Sequence, residues 1–254
     1  MTTHVLADTR VLTGRSLTHI VRSPDTIITT AVTPIALMLI FVYVFGGAID
    51  TGSGGSYINY MLPGILLITI ASGIAYTSYR LFLDLQGGIV DRFQSMPIAR
   101  SSVLWAHVLT SLVANLVSIA IVIGVALLMG FRTGASVVAW LAVAGILALF
   151  TLALTWVAVI AGLSAKTVDG ASAFSYPLIF LPFISSAFVP TDTMPGPVAW
   201  FAENQPVTSI VNTIRALFAQ EPVGNDIWIA LAWLVGILVV AYVFAVRIYR
   251  RKIS

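Results

Sequence analysis

The 254-residue chain has no cysteine, three histidines and few charges. Without cysteine it can form no disulfide, no thiolate nucleophile and no cysteine-ligated metal site. Asp, Glu, Lys and Arg make up 9% of it, where soluble domains carry about 25%. So few charges cannot cover a soluble globule of this size, and apolar residues reach 59%. Soluble, disordered, fibrous and disulfide-scaffold classes are therefore excluded. An all-α integral membrane protein remains. Catalytic motifs are also missing. Neither Lys166 nor Lys252 follows a glycine, so there is no G-x-x-x-x-G-K-[ST] loop to cradle nucleotide phosphates. There is no H-E-x-x-H zinc helix and no G-x-S-x-G elbow. His4, His19 and His107 are the only imidazole bases, and none neighbours a plausible nucleophile. Residues 1–23 hold no apolar run long enough for a signal-peptide core, so none is expected.

What is present is a series of apolar runs. A spanning helix needs about 20 mostly apolar residues. Six runs qualify, near 26–45, 57–79, 103–129, 134–163, 171–188 and 227–246. The fifth is the shortest and carries Pro177 and Pro182, so it is expected to bend. Between the runs, Lys and Arg fall unevenly. One side takes Arg10, Arg15, Arg22, Arg80, Arg92, Arg100, Lys166, Arg247, Arg250, Arg251 and Lys252, and the other takes only Arg132 and Arg215. The positive-inside rule places the 11 in the cytoplasm, with both termini. None of the charged residues lies in the middle of a run. Proton-driven carriers usually need an intramembrane carboxylate or relay. Inverted-repeat carriers tend to show matching broken helices in two halves, and the double-proline run has no obvious counterpart. A polytopic protein with no power source of its own points to an external ATPase. A stand-alone ion-coupled carrier is the alternative from another class, and an intramembrane enzyme or assembly factor is a third.

Four segments stand out. On a helix over 5–22, Asp8, Arg15, His19 and Arg22 share one stripe, with Leu6, Leu17, Ile20 and Val21 roughly opposite. That pattern fits a helix lying in the cytoplasmic interface or a plain basic anchor. The segment 80–100 reads RLFLDLQGGIVDRFQSMPIAR. A short helix to Gln86 would break at Gly87-Gly88, and a second would run from Ile89 to about Met96 before Pro97. Asp91 and Arg92 offer charged contacts and Phe93 an apolar anchor. The element either docks into a groove on a soluble partner or is a solvated loop. The external segment 189–226 holds five of the eleven prolines. Within it Val207, Ile210, Val211, Ile214, Leu217 and Phe218 form one apolar helical face, with Pro206 suited to the first helical position. Thr208, Ser209, Asn212 and Thr213 take the other side. Too short to span, this helix should lie in the outer interface or re-enter it, as a cap or a gate. In the fifth run, Tyr176, Phe180 and Phe183 share a stripe, either helix packing or the lining of a path for an amphipathic substrate.

With these segments in place, the whole chain resembles the membrane permease subunit of a type-2 ABC exporter of the daunorubicin-resistance kind. The resemblance rests on the interfacial segment before the first span and on GGIVDRFQSMPIAR. It rests further on FVPTDTMPGPVAWFAENQPVTSIVNTIRALF, with its Pro-rich entry, QPVT start and Arg-Ala-Leu ending. It implies six transmembrane helices, an N-terminal interfacial helix and short outer re-entrant helices between spans five and six. Residues 1–25 would hold a cytoplasmic connecting helix and 26–254 the transmembrane domain, with a coupling loop at 80–101 and the external segment at 189–226. Gln86, Gly87, Gly88, Asp91, Arg92, Phe93, Met96 and Pro97 would face the ATPase subunit, with Asp8, Arg15 and Arg22 of the connecting helix. Pro206, Val207, Ile210, Val211, Ile214 and Arg215 would form the outer gate helix. The chain would bind no cofactor or metal itself. ATP and Mg would sit on two cytoplasmic ATPase subunits, and a second copy or a related permease would complete the pair. Cargo of such exporters is a drug, antibiotic, lipid, glycolipid or polysaccharide. Membrane lipid is the other partner, nucleic acid is not, and the location is the cell membrane.

Overall fold

The computed structural model describes residues 24–47, 56–87 and 100–253, and every element among them is helical. Helix α1 covers Pro24–Ile40 and continues as a π turn over Phe41–Phe45. Helices α2 (Tyr57–Gln86), α3 (Arg100–Leu128) and α4 (Val137–Ser164) follow. Short pieces come next: α5 (Val168–Ala173), α6 (Ser175–Phe180) and a 3-10 turn at Leu181–Ile184. A 3-10 turn at Thr191–Thr193 leads to α7 (Gly196–Asn204) and α8 (Pro206–Ala219), and α9 (Asp226–Ile253) ends the chain.

Among the described residues four helices are long and apolar enough to cross a membrane: Tyr57–Gln86, Leu104–Leu128, Val137–Ser164 and Asp226–Tyr249. The first and fifth predicted spans are shorter apolar helices, Thr30–Phe45 and Val168–Ile184. The fifth is broken, not merely bent. Pro177 and Pro182 lack the N–H that would bond four residues back; Pro177 sits in the first turn of α6 and Pro182 in the 3-10 turn that follows it. Side chains satisfy carbonyls at the breaks: Ser175 Oγ donates to Ser172 O at 2.8 Å and Ser185 Oγ to Pro182 O at 2.6 Å.

Helix α2 is the axis of the bundle. At 30 residues it runs about 45 Å. Residues 57–71, apart from half-buried Asn59, are buried on every side, while α3, α4 and α9 keep broad exposed apolar faces. An α-helix in hydrocarbon can be apolar all round and still be either central or peripheral, and packing decides which. Small residues let α2 approach its neighbours. A Cβ on Gly162 of α4 would stand 2.8 Å from Ser78 O, and one on Gly73 of α2 would stand 2.2 Å from Asn115 Oδ1.

The interior has two apolar clusters. The larger holds Met61, Leu62, Ile65, Leu66, Val122, Phe131 and Ile210. The smaller joins Leu81, Leu104, Val108, Trp156, Val159, Ala241 and Tyr249 of four helices. In register between them, α2, α3 and α4 meet through a polar belt. Thr77 Oγ1 donates to Ser111 Oγ at 2.8 Å, and Ser111 Oγ and Thr155 Oγ1 share a bond of 3.3 Å. Asn115 Nδ2 donates to Ser111 O at 2.9 Å. The Asn115 bond stays within α3, while the bonds between helices tie them together at about 0.6–2 kcal/mol each.

Candidate functional site

The described end of the bundle that holds Arg132 and Arg215 is built around α8. Its start is fixed by Gln205, whose Oε1 accepts from Val207 N at 3.0 Å while its Nε2 donates to Ile184 O at 3.0 Å. Pro206 occupies the first helical position, where its missing N–H costs nothing. Gln220 ends the helix in the left-handed region at φ 58°, and its Nε2 donates to Gly134 O in the α3–α4 turn. Phe218 docks there too, with ring centroids 5.3 Å from Phe131 and 5.0 Å from Trp140. Thr133 Oγ1 donates to Phe218 O at 2.5 Å.

Arg215 holds the middle. Its Nη2 donates to Ser186 O at 2.6 Å, its Nε to Tyr60 O at 3.2 Å and its Nη1 to Asn212 Oδ1 at 3.2 Å. Its guanidinium lies 3.8 Å from the centroid of the Tyr60 ring. Among the described residues no carboxylate lies within salt-bridge distance of it. The charge is thus solvated by carbonyl dipoles from three chain segments and by an aromatic face, the fork geometry that arginine supplies and lysine does not. Burial pulls the guanidinium pKa below its ordinary value, and Tyr60 pushes it back up.

The apolar face is turned into the bundle: Val207, Ile210, Val211, Ile214 and Phe218 are in the core, and half-buried Leu217 packs against it. The opposite face is not left outside. Thr208, Ser209 and Thr213 are buried as well. Local bonds make that possible: Thr208 Oγ1 donates to Ala202 O at 2.5 Å, Thr213 Oγ1 to Ser209 O at 2.7 Å, and Ser186 Oγ to Asn212 Oδ1 at 2.7 Å. Ser186, Tyr60 and Thr133 had no signal of their own in the sequence. The lone arginine near the end of an otherwise apolar face was the one clue to a buried junction.

The aromatic stripe divides. Phe183 stacks on Phe188 at 4.9 Å and 18° and packs on the larger cluster. Tyr176 and Phe180, each 62% exposed, face away from the bundle. The break at Leu181 seats Phe183 against the core while its ring stays 6.2 Å from that of Phe180.

At the opposite end, α2 runs unbroken to Gln86, so the expected separate short helix before the glycines is the tail of α2 itself. Gly87 ends it, its N–H bonded to Leu83 O at 2.8 Å. One turn earlier, Asp84 Oδ2 stands 3.1 Å from His107 Nε2 on α3. Gly88, Asp91, Arg92, Phe93, Met96 and Pro97 lie outside the described residues, as do Asp8, Arg15 and Arg22 of the expected connecting helix. Among the described residues no cluster of three or more metal-ligating side chains exists.

Comparison with known proteins supplies the context for this geometry. The ABC-2 type transporter family matches residues 7–219. The chain is 27% identical over 248 residues to a daunorubicin resistance ABC transporter permease protein of Streptomyces coeruleorubidus, covering 93% of this chain and 86% of that one. It is 26% identical over 249 residues to a probable doxorubicin resistance ABC transporter permease protein of Mycobacterium tuberculosis, covering 97% of this chain and 89% of that one.

Proposed function

The chain belongs to the ABC-2 type transporter family, and from that premise we propose that it carries an amphipathic drug, antibiotic, lipid or glycan out of the cytoplasm. As a family member it is the multi-pass membrane subunit of an ABC transporter, without an ATPase site of its own. Energy for export comes, in this reading, from two cytoplasmic ATPase subunits that bind ATP and Mg. A second copy or a related permease completes the translocation path. The observation that carries the reading is likeness to two drug-resistance permeases over 93% and 97% of the chain.

The geometry supports a division of labour. Both termini and the segment 80–100 face the cytoplasm, the side assigned to 11 of the 13 Lys and Arg residues. The shorter helices Thr30–Phe45 and Val168–Ile184 complete six spans. In this reading segment 86–96 docks in a groove of the ATPase, which Asp8, Arg15 and Arg22 also contact. Helix α2 links that segment to the outer junction without a break, so a push at Gln86 reaches Tyr60 and its contact with Arg215. Helix α8 is then the outer gate, released when α2 moves. Tyr176 and Phe180 are the stripe residues positioned to meet cargo.

Co-expression with a cognate cytoplasmic ATPase tests this reading. The purified chain alone should bind no ATP and hydrolyse none, and the two proteins should co-purify in equal numbers with drug-stimulated hydrolysis. ATP hydrolysis by the chain free of other subunits, or no association with the ATPase, would overturn it.

A further inference from the structure

The segment 88–99 leaves α2 after Gly87 and re-enters the described fold at Arg100 of α3. Among the described residues its two roots are joined by a polar contact, the 3.1 Å pair of His107 Nε2 and Asp84 Oδ2. Asp84 sits in the last turn of α2, and His107 sits about two turns into α3. Beneath the pair, Leu81 packs with Leu104 and Val108 in the smaller apolar cluster. The next polar contact between α2 and α3 is Thr77 with Ser111, about two turns deeper on α2. Apolar contacts of this kind allow helices to slide, since one methyl row serves nearly as well as the next. A directional contact near the ends fixes their register.

We infer that Asp84 and His107 are positioning residues for coupling, a clasp that makes α2 and α3 move as one lever when the segment between them is displaced. The inference rests on the proposed docking of that segment to an ATPase. A loop displaced at its tip can deliver its motion in two ways: it can shear its roots past each other, or it can tilt them together. Shear dissipates the displacement locally. Joint tilting carries it along α2 to Tyr60 and the outer junction. With the clasp closed, shear requires breaking the His–Asp bond, so tilting is favoured. The side chains are only part-exposed, at 17% and 31%, which limits screening by water. Arg80, one turn before Asp84 on α2, is drawn aside over the Tyr76 ring, 5.7 Å from its centroid.

The absence of native cysteine gives a clean test. In the reconstituted complex with the ATPase, doxorubicin uptake into inside-out vesicles and ATP hydrolysis are measured together. Asp84→Ala and His107→Ala should each lower drug moved per ATP by about fivefold, the low end of coupling between distant sites, with complex yield and hydrolysis retained. A D84C/H107C chain should show the same defect. Bridging its two thiols with a short bis-methanethiosulfonate should restore the ratio, and reductant should abolish it again. Because the bridged and unbridged protein is one folded sample, misfolding cannot imitate this reversal. Wild-type stoichiometry in the alanine variants, or a bridge that leaves the defect unchanged, overturns the clasp. Failure of the wild-type complex itself to move drug with ATP strikes instead at the proposed function.

Discussion

Replacing Arg215 with Met keeps an unbranched apolar stem and removes the guanidinium. Ser186 O and Tyr60 O lose their charged donor, and the Tyr60 ring loses a cation 3.8 Å from its centroid. A hydrogen bond to a charged group contributes about 1.5–3 kcal/mol and a partly desolvated cation–π contact about 0.5–2 kcal/mol. Removing a buried charge also removes its desolvation cost, several kcal/mol in the opposite direction. Asn212 Oδ1 keeps the Ser186 hydroxyl as donor, and Tyr60 O lies inside α2, where helix hydrogen bonding continues. Ser186 O is the main orphan left behind. The net loosening of α8 is then about 2 kcal/mol, which raises its undocked population about thirtyfold. Ser209, 5% exposed on α8, reports the change. A Cys introduced at 209 should react with a membrane-impermeant maleimide about thirtyfold faster with Met at 215. Arg215→Lys should fall between, because an ammonium cannot serve the fork and the ring together. Equal labelling rates in all three backgrounds would refute the idea that Arg215 pins the helix.

Other outcomes follow from the same contacts. Gly162→Ala sets a methyl 2.8 Å from Ser78 O and should destabilise the bundle by about 1–3 kcal/mol. Gly145→Ala, with nothing within 4 Å, should stabilise α4 by about 0.5–1 kcal/mol; unfolding by graded SDS reads both signs. Phe183→Ala should lower folded yield, since its ring is stacked on Phe188. Tyr176→Ala and Phe180→Ala should leave yield intact and alter which drugs are moved, as judged by competition for transport. In the segment between α2 and α3, Phe93→Ala or Arg92→Glu should preserve membrane insertion and weaken ATPase binding, with a contact loss of about 1–3 kcal/mol measured by titration of the ATPase onto the reconstituted chain.

The helices were legible in the sequence because an apolar run of membrane length is stable almost only as a helix in hydrocarbon. The start at Tyr57, the turn after Leu128 and the start of α8 at Pro206 fall where composition and helix signals put them. Rank within the bundle was not legible. Lipid and protein interior select the same side chains, so nothing in the α2 sequence marked it as the enclosed helix. The fifth run showed its two prolines, but not that Phe183 would stack on Phe188 while Tyr176 and Phe180 stayed exposed. The burial of the polar side of α8 was not legible for a related reason. Thr208, Ser209 and Thr213 look like a wet face until backbone carbonyls are present to receive their hydroxyls. The Arg215 site hides most completely, since two of its partners are main-chain oxygens, one of them 155 positions away. The Asp84–His107 pair likewise joins residues that no local pattern connects.

The most direct test of an ATP-driven exporter subunit is doxorubicin uptake into inside-out vesicles that hold the chain, the cognate ATPase, both or neither. Uptake should appear only with both proteins and hydrolysable ATP, and should vanish when ATP is withheld or replaced by a non-hydrolysable analogue. Uptake by the chain alone, driven by an ion gradient and indifferent to ATP, would contradict it.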